Sequence, residues 1–412
     1  MVVIPKLPKS IQTFKALSYR NFRWYWFATL GLSVGQGIQQ FTIIWLILDL
    51  TGSTSKLGLV LFLQGFPMLA FVILGGVAAD KFERLKILTL GQAIIALYVA
   101  LIATLVITGQ IHIWHLYIGA VLVGIVQAFN SPIRMALVKD LVAKEHIMNG
   151  ISLNSMMTNL TFLIGQPVAG FTIALFGIGP ALFISAGFFG AGVITLLFIS
   201  APTKTATSGK SRLGADILDG WRYVRTTPAI LALVLLGIFW GLLGQSSLSL
   251  VPAFAKEVMG FNSKTAAFVT MAIGLGAFSG NLFVASSGNF RYKNWLMLGG
   301  ITILSTALLG FSLSHTFPLM FLFLFFGGMG SFAFTQVGNA WVQLVAPPLL
   351  VGRVMSIWFL SAGCVFVGGL LMGFLGESFG LRTAFIWASG FFICLVLFLG
   401  YVWPTFRQMP PE

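Results

Sequence analysis

Charge is scarce in this chain: 8% of its 412 residues are charged, and ten acids stand against 24 Lys and Arg. So little charge cannot cover a water-soluble fold whose residues are 58% hydrophobic, so most of the surface must face lipid. Cysteine is almost missing. Cys364 and Cys394 lie inside apolar runs with no spacing partner, which excludes a disulfide framework or a thiolate metal site and reads as packing. The four histidines, His112, His115, His146 and His315, fall near loops and form neither an HExxH pattern nor a spacing to a nucleophile. No catalytic residues, metal or cofactor are therefore expected, and a polytopic membrane enzyme is the remote alternative. The net charge of +14 would raise nucleic-acid binding in a soluble protein. Here the bases sit in short loops rather than along one helical face, so no nucleic-acid partner is expected. No acid lies in the middle of an apolar run either; all ten stand at run ends, in loops or in the tail.

What the chain has in abundance is apolar runs of spanning length, roughly 20 residues or more each. They cover 24–48, 57–79, 87–109, 113–133, 147–175 and 178–200, then 228–254, 266–290, 295–314, 317–345, 354–376 and 383–406. Backbone polar groups in lipid must be satisfied within their own segment, and these runs lack the short alternation of a barrel strand. The expected fold class is an all-α membrane protein of twelve transmembrane helices in two pseudo-symmetric six-helix halves. Residues 1–200 form the first half, 201–227 a polar cytoplasmic linker with a short amphipathic helix at 216–225, and 228–412 the second half. A repeat offset supports two related halves: Leu141-Val142-Ala143 before Lys144-Glu145 has a counterpart in Leu344-Val345-Ala346 before Pro347-Pro348.

The basic start, with Lys6, Lys9, Lys15, Arg20 and Arg23, resembles a signal-peptide opening, but run 24–48 is too long for a cleaved core and reads as the first span. With the N-terminus inside, only Lys56, Lys256, Lys264 and Arg382 of the Lys and Arg residues fall on the outer side. That asymmetry predicts both termini in the cytoplasm; a bacterial inner membrane is the expected location.

After the second run stands Gly76-Val77-Ala78-Ala79-Asp80-Lys81-Phe82-Glu83-Arg84. With twelve spans and a central loop, it resembles the major facilitator superfamily, whose pattern here is Gly-x-Leu-Ala-Asp-Arg-x-Gly-Arg-Lys. Gly76, Ala79, Asp80 and Arg84 match and Lys81 keeps the charge, whereas Ala78, Glu83 and Leu85 depart from it. Glu83, the stretch 45–53 (WLILDLTGS), Pro132-Ile133-Arg134, Pro167-Val168-Ala169-Gly170 and Asp219-Gly220-Trp221-Arg222 look like the macrolide and siderophore exporter branch of drug–proton antiporters. Antiport families usually carry Gly-Pro in span 5, where this chain has Gly165-Gln166-Pro167. The resemblance implies that Gly76, Asp80, Lys81 and Arg84 form a conformational gate. Asp80 would meet the N-terminus of span 11, and Arg84 would pair with an acid at the end of span 4, for which Asp140 is the match.

The spans also carry a set of amides. Gln127, Asn130 and Arg134 follow i, i+3, i+7 and share one face of span 4, and Gln336, Asn339 and Gln343 repeat the spacing in span 10. Gln36 and Gln40 are one turn apart in span 1, Gln166 lies in span 5, and Gln245 in span 7 with the aromatic Trp240. Together they predict an uncharged, hydrogen-bonding cavity, although each alone reads equally as interhelical glue. Arg134 is open to two readings: it snorkels to the inner interface, or it lends the cavity positive potential. The function expected is export of a small amphipathic substrate by alternating access, by a monomer in contact with membrane lipid. Facilitated uptake or flipping of a lipid-like substrate is the alternative. If protons drive the cycle, Asp49 is the candidate coupling acid, against a reading in which it caps the turn at Thr51-Gly52-Ser53.

Overall fold

The computed structural model describes residues 15–200, 221–286, 293–347 and 350–402, among which there is no strand. Of the expected linker, 201–220 lies outside the described residues and 221–226 is helical. The first helices are α1 (Arg20–Thr51), α2 (Thr54–Lys81), α3 (Arg84–Ile107), α4 (Ile113–Leu141), α5 (Ile147–Leu160), α6 (Gln166–Phe176) and α7 (Ile178–Leu197). A π-turn, Thr161–Gly165, joins α5 to α6 without interruption. There follow α8 (Pro228–Phe239), α9 (Ser246–Ser249), α10 (Val251–Glu257), α11 (Ser263–Ser286), α12 (Lys293–Leu313), α13 (Phe317–Val345), α14 (Val351–Ala362), α15 (Val365–Phe379) and α16 (Leu381–Val402). A second π-turn, Trp240–Gln245, joins α8 to α9.

Among the described residues, eleven segments are long and apolar enough to cross a membrane; the remaining expected run is continuous helix through α5, the π-turn and α6. Several connections among the described residues are short, and glycine makes the tightest of these. Gly52 adopts φ 58°, a conformation that costs a side chain, and its N–H closes α1 onto Leu48 O at 2.8 Å. The chain can then reverse within two residues, and Ser53 caps α2 by accepting Lys56 N–H at 3.2 Å.

Helices α1–α7 pack as one set: α2 against α4, and α1 and α3 against α7. Helices α8–α16 form a second set, with α13 held by α11 and α12, and α12 against α16. The main contacts between the sets are α2 with α15, α6 and its π-turn with α11, and α1 with α10. Glycine sets the approach in the strongest pairs. A Cβ on Gly75 would strike Ala128 O and one on Gly124 would strike Gln64 O, so α2 and α4 touch backbone to backbone. The pair α11 and α13 repeats this, with Gly276 against Phe325 O and Gly328 against Ile273 O. Lipid offers no hydrophobic drive for helix association, so such close packing carries the cohesion. Large apolar side chains such as Leu97, Leu101, Leu175, Phe176 and Leu197 point outward, as a lipid-facing surface requires.

Gly276→Ala should wedge α11 and α13 apart at a cost of about 1–3 kcal/mol, lowering the melting temperature of the purified protein by several degrees. Gly187, exposed on α7 with open space around it, should accept alanine without a shift. Equal melting temperatures for the two variants would remove glycine packing as the source of cohesion.

Candidate functional site

Three glutamines of α1, at positions 36, 39 and 40, project toward α2–α4 because the helix brings i, i+3 and i+4 onto one face. There they meet Gln64 of α2, Tyr98 of α3 and Gln127 of α4 around a cavity of about 70 Å³, whose remaining walls include Ile43, Ile44 and Val123. Five amides supply both donors and acceptors without net charge. The volume suits about two waters at ~30 Å³ each and falls well short of the ~300 Å³ or more of a drug-sized pocket. It is a polar recess in one wall.

Of the residues expected in a cavity, Gln36, Gln40 and Gln127 meet here. Asn130, one turn beyond Gln127, is fully buried with its amide against Gly91, and neither amide atom has a partner among the described residues. Arg134 follows another turn on, half-buried, with Tyr25 Oη donating to its carbonyl at 3.2 Å; its guanidinium has no hydrogen bond or ion pair among the described residues. Gln166 is buried directly after the first π-turn, with Oε1 unpartnered among the described residues. In the other helix set, Trp240 and Gln245 bracket the second π-turn and share Ser331, whose Oγ accepts from Trp240 Nε1 at 3.1 Å and donates to Gln245 Oε1 at 3.3 Å. Asn339 lies apart from that network, its Oδ1 accepting Trp358 Nε1 at 2.5 Å, and Gln336 is half-buried on the same helix, α13. The expected residues thus fall in both helix sets rather than around one closed cavity. Sequence spacing missed Gln39, Gln64, Tyr98 and Ser331. Gln39 carried a signal, as the i+3 neighbour of Gln36. The others are isolated polar residues in apolar runs, which spacing cannot assign to a face.

At the end of the bundle where α2 passes into α3, Arg84 Nη1 donates to Asp140 Oδ2 at 2.7 Å, with side-chain exposures of 11% and 19%. The pair ties the start of α3 to the last turn of α4, inside one helix set. Lys81 is exposed, Gly76 is half-buried with open space beside it, and the side chain of Asp80 lies outside the described residues. Asp49 sits at the opposite end of the bundle, in the last turn of α1. It forms an ion pair with Lys256 of α10, and the ammonium also lies 4.8 Å from the centre of the Trp45 ring. The turn that Asp49 was open to capping is held instead by Thr51, whose Oγ1 accepts Ser53 N–H at 3.2 Å. No group of three or more His, Cys, Asp or Glu side chains that could hold a metal occurs among the described residues.

The sequence and the fold match a known family of membrane transporters. Residues 11–409 fit the family model described as transmembrane secretion effector. The chain belongs to that family. It is a multi-pass transporter of the major facilitator type. It is 25% identical over 378 residues to the multidrug efflux pump Tap of Mycolicibacterium fortuitum, covering 87% of this chain and 90% of Tap. To the staphyloferrin A transporter of Staphylococcus aureus it is 22% identical, over 92% of this chain and 96% of that protein. To the enterobactin exporter EntS of Escherichia coli it is 25% identical, over 88% of each. The fold matches the nucleoside transporter NupG with a TM-score of 0.73 at 15% identity, over 95% of this chain and 100% of that one. A bacterial homologue of the human lysosomal transporter Spinster, inward-facing and unoccupied, matches at 0.74 and 16%, over 97% and 99%.

Asp140→Ala removes a carboxylate acceptor from the partly buried Arg84 and should cost about 1–3 kcal/mol, read as a lower melting temperature, with Asp140→Glu recovering most of it. An unchanged melting temperature in Asp140→Ala would show that the Arg84 pair contributes nothing to stability.

Proposed function

We propose that the protein exports small amphipathic molecules, neutral or anionic, across a bacterial inner membrane by alternating access. The observation that carries the substrate class is the recess of five glutamines and Tyr98, whose lining contains no carboxylate. A cation buried there without a counter-charge would cost several kcal/mol, whereas neutral polar groups pair with amides and apolar groups with the surrounding side chains. Arg134 adds to the preference. It stands on the same helix as Gln127, about 10 Å along the axis, and its lack of a described counter-ion leaves its charge for an anionic group.

The recess is too small for a whole substrate of this class. The rest of the molecule lies against Trp240, Gln245 and Gln336 of the second helix set when the two sets separate. Residues 1–200 and 228–412 are then the moving halves, joined by 201–227, a reading supported by the same glycine-to-carbonyl crossing in α2–α4 and α11–α13. The relatives named as a multidrug efflux pump, a staphyloferrin A transporter and an enterobactin exporter support export of small molecules. Both termini face the cytoplasm, on the bias of Lys and Arg. Gly76, Asp80, Lys81, Arg84 and Asp140 then form the cytoplasmic gate, and Asp49 the acid through which an outer proton would act.

Everted vesicles test the substrate class with a cationic dye, a neutral macrocycle and a catechol-type anion. Uptake should favour the anion and the macrocycle, and Arg134→Ala should reduce anion uptake about tenfold, the loss of one charge-assisted contact, while sparing the macrocycle. Transport of the cation alone, unchanged in Arg134→Ala, would overturn the reading. The same vesicles with and without a pH gradient test the coupling acid. Asp49→Asn should remove the gradient-driven part of transport, and full gradient-driven transport in that variant would exclude Asp49.

A further inference from the structure

Where α1 turns into α2, one carboxylate from the other helix set gathers three donors. Glu377, in the last turn of α15, accepts Ser53 Oγ at 2.9 Å, Ser55 N–H at 3.1 Å and Thr54 Oγ1 at 3.4 Å, all on Oε2. The single Thr54 hydroxyl proton is shared, mainly with Gly373 O at 2.9 Å, so the start of α2 is stitched to the last turns of α15. The first N–H groups of any helix lack an acceptor within it. Ser53 supplies one cap for α2 from its own chain neighbourhood, and Glu377 supplies a second from another helix.

Helix polarity makes this contact mutual. A carboxylate in the last turn of its own helix faces the negative end of the macrodipole, an unfavourable place, while the N-terminus of a neighbouring helix is the favourable one. Glu377 is therefore relieved of its own helix end only while α2 is beside it. The approach depends on glycine: a Cβ on Gly58 would lie 2.7 Å from Gly369 O, and one on Gly373 would lie 2.9 Å from Gly58 Cα. The same end of the bundle holds the Asp49–Lys256 pair between α1 and α10, and Ser263 Oγ donating to Gly170 O at 3.1 Å between α11 and α6.

We propose that Glu377 is the latch of the outer gate, a positioning residue of the transport cycle that holds α15 against the start of α2 while the substrate path faces the cytoplasm. When the outer ends part, the carboxylate and the Ser55 N–H both lose their partner to water. The latch then biases the cycle by a modest amount, as a step that must reverse at every turnover requires. The assignment of this end as outer rests on the orientation proposed above.

The test uses the full-length protein in nanodiscs, with Cys364 and Cys394 replaced by serine and spin labels on engineered cysteines. One pair, at Gln110 and Glu257, spans the latch end, and a second, at Lys86 and Ser356, spans the opposite end; all four positions are exposed. Glu377→Ala should raise the ratio of outer-open to outer-closed molecules about tenfold, the size expected for a lost charge-assisted hydrogen bond. The latch-end distances lengthen and the opposite pair shortens. Glu377→Gln, which keeps an acceptor oxygen without the charge, should shift less, and Gly373→Ala should shift in the same direction as Glu377→Ala by blocking the approach. Ser53→Ala with Thr54→Val should reproduce much of the shift, and adding Glu377→Ala to that pair should then produce less than its effect alone. Unchanged distances in Glu377→Ala, or lengthening at both ends together, would overturn the latch, since a merely structural contact loosens the bundle without exchanging one opening for the other. Labelling of Gln110→Cys by a membrane-impermeant thiol reagent checks the orientation separately. Reaction in intact cells supports the outer assignment, and reaction only in everted vesicles overturns it while leaving the distance shifts to judge the latch.

Discussion

In hydrocarbon a backbone N–H or C=O has no water to bond, and each one left open costs several kcal/mol. That constraint turns every apolar run of this chain into helix and leaves side chains, rather than backbone hydrogen bonds, to join the helices. With lipid as solvent, apolar side chains gain little by meeting one another, so cohesion falls to close contact. In both helix sets, glycines bring backbone onto backbone, at Gly75 and Gly124 in one and at Gly276 and Gly328 in the other. Those pairs cannot slide without losing their fit and are suited to moving as bodies.

The seam between the sets also uses close glycine approach, at Gly58 with Gly369 O and at Gly170 with Ser263 O, and adds polar bonds. At one end its contacts are polar and local: Glu377 with the start of α2, Asp49 with Lys256, and Ser263 with Gly170 O. A hydrogen bond or exposed ion pair nets only about 1 kcal/mol because water replaces the partner when it opens. Bonds of that size can close a gate and release it again, whereas an interdigitated apolar seam would store too much. Under the proposed alternating access, exchangeable polar bonds at this end of the seam let it part and close again.

The interior polar groups follow a matching logic. Amides at Gln92 and Asn130 are buried with no partner among the described residues, an arrangement that a static bundle would have little reason to keep. The π-turns at Thr161–Gly165 and Trp240–Gln245 add backbone irregularity beside Gln166 and at Gln245 itself.

Fold class and span positions were legible in the sequence because they depend on local hydropathy and on backbone satisfaction within each run. The loop motif carried the family, and i, i+4 spacing carried Gln36 with Gln40 on one face. The pairing of Arg84 with Asp140 was readable only through the motif, since the two lie far apart in the chain. Spacing could not say that Gln64 and Tyr98 close the same recess as Gln127, that Trp240 and Gln245 share Ser331, or that Asn339 turns instead to Trp358. Asp49 and Glu377 look alike in sequence, each an acid at the end of an apolar run. Only the packing of α1 beside α10 and of α15 across the start of α2 gives one an ammonium and the other a helix terminus. Hydropathy determines which segments enter the membrane, but which polar ends face one another is decided by the angle and depth at which helices cross, and those depend on contacts between residues hundreds of positions apart.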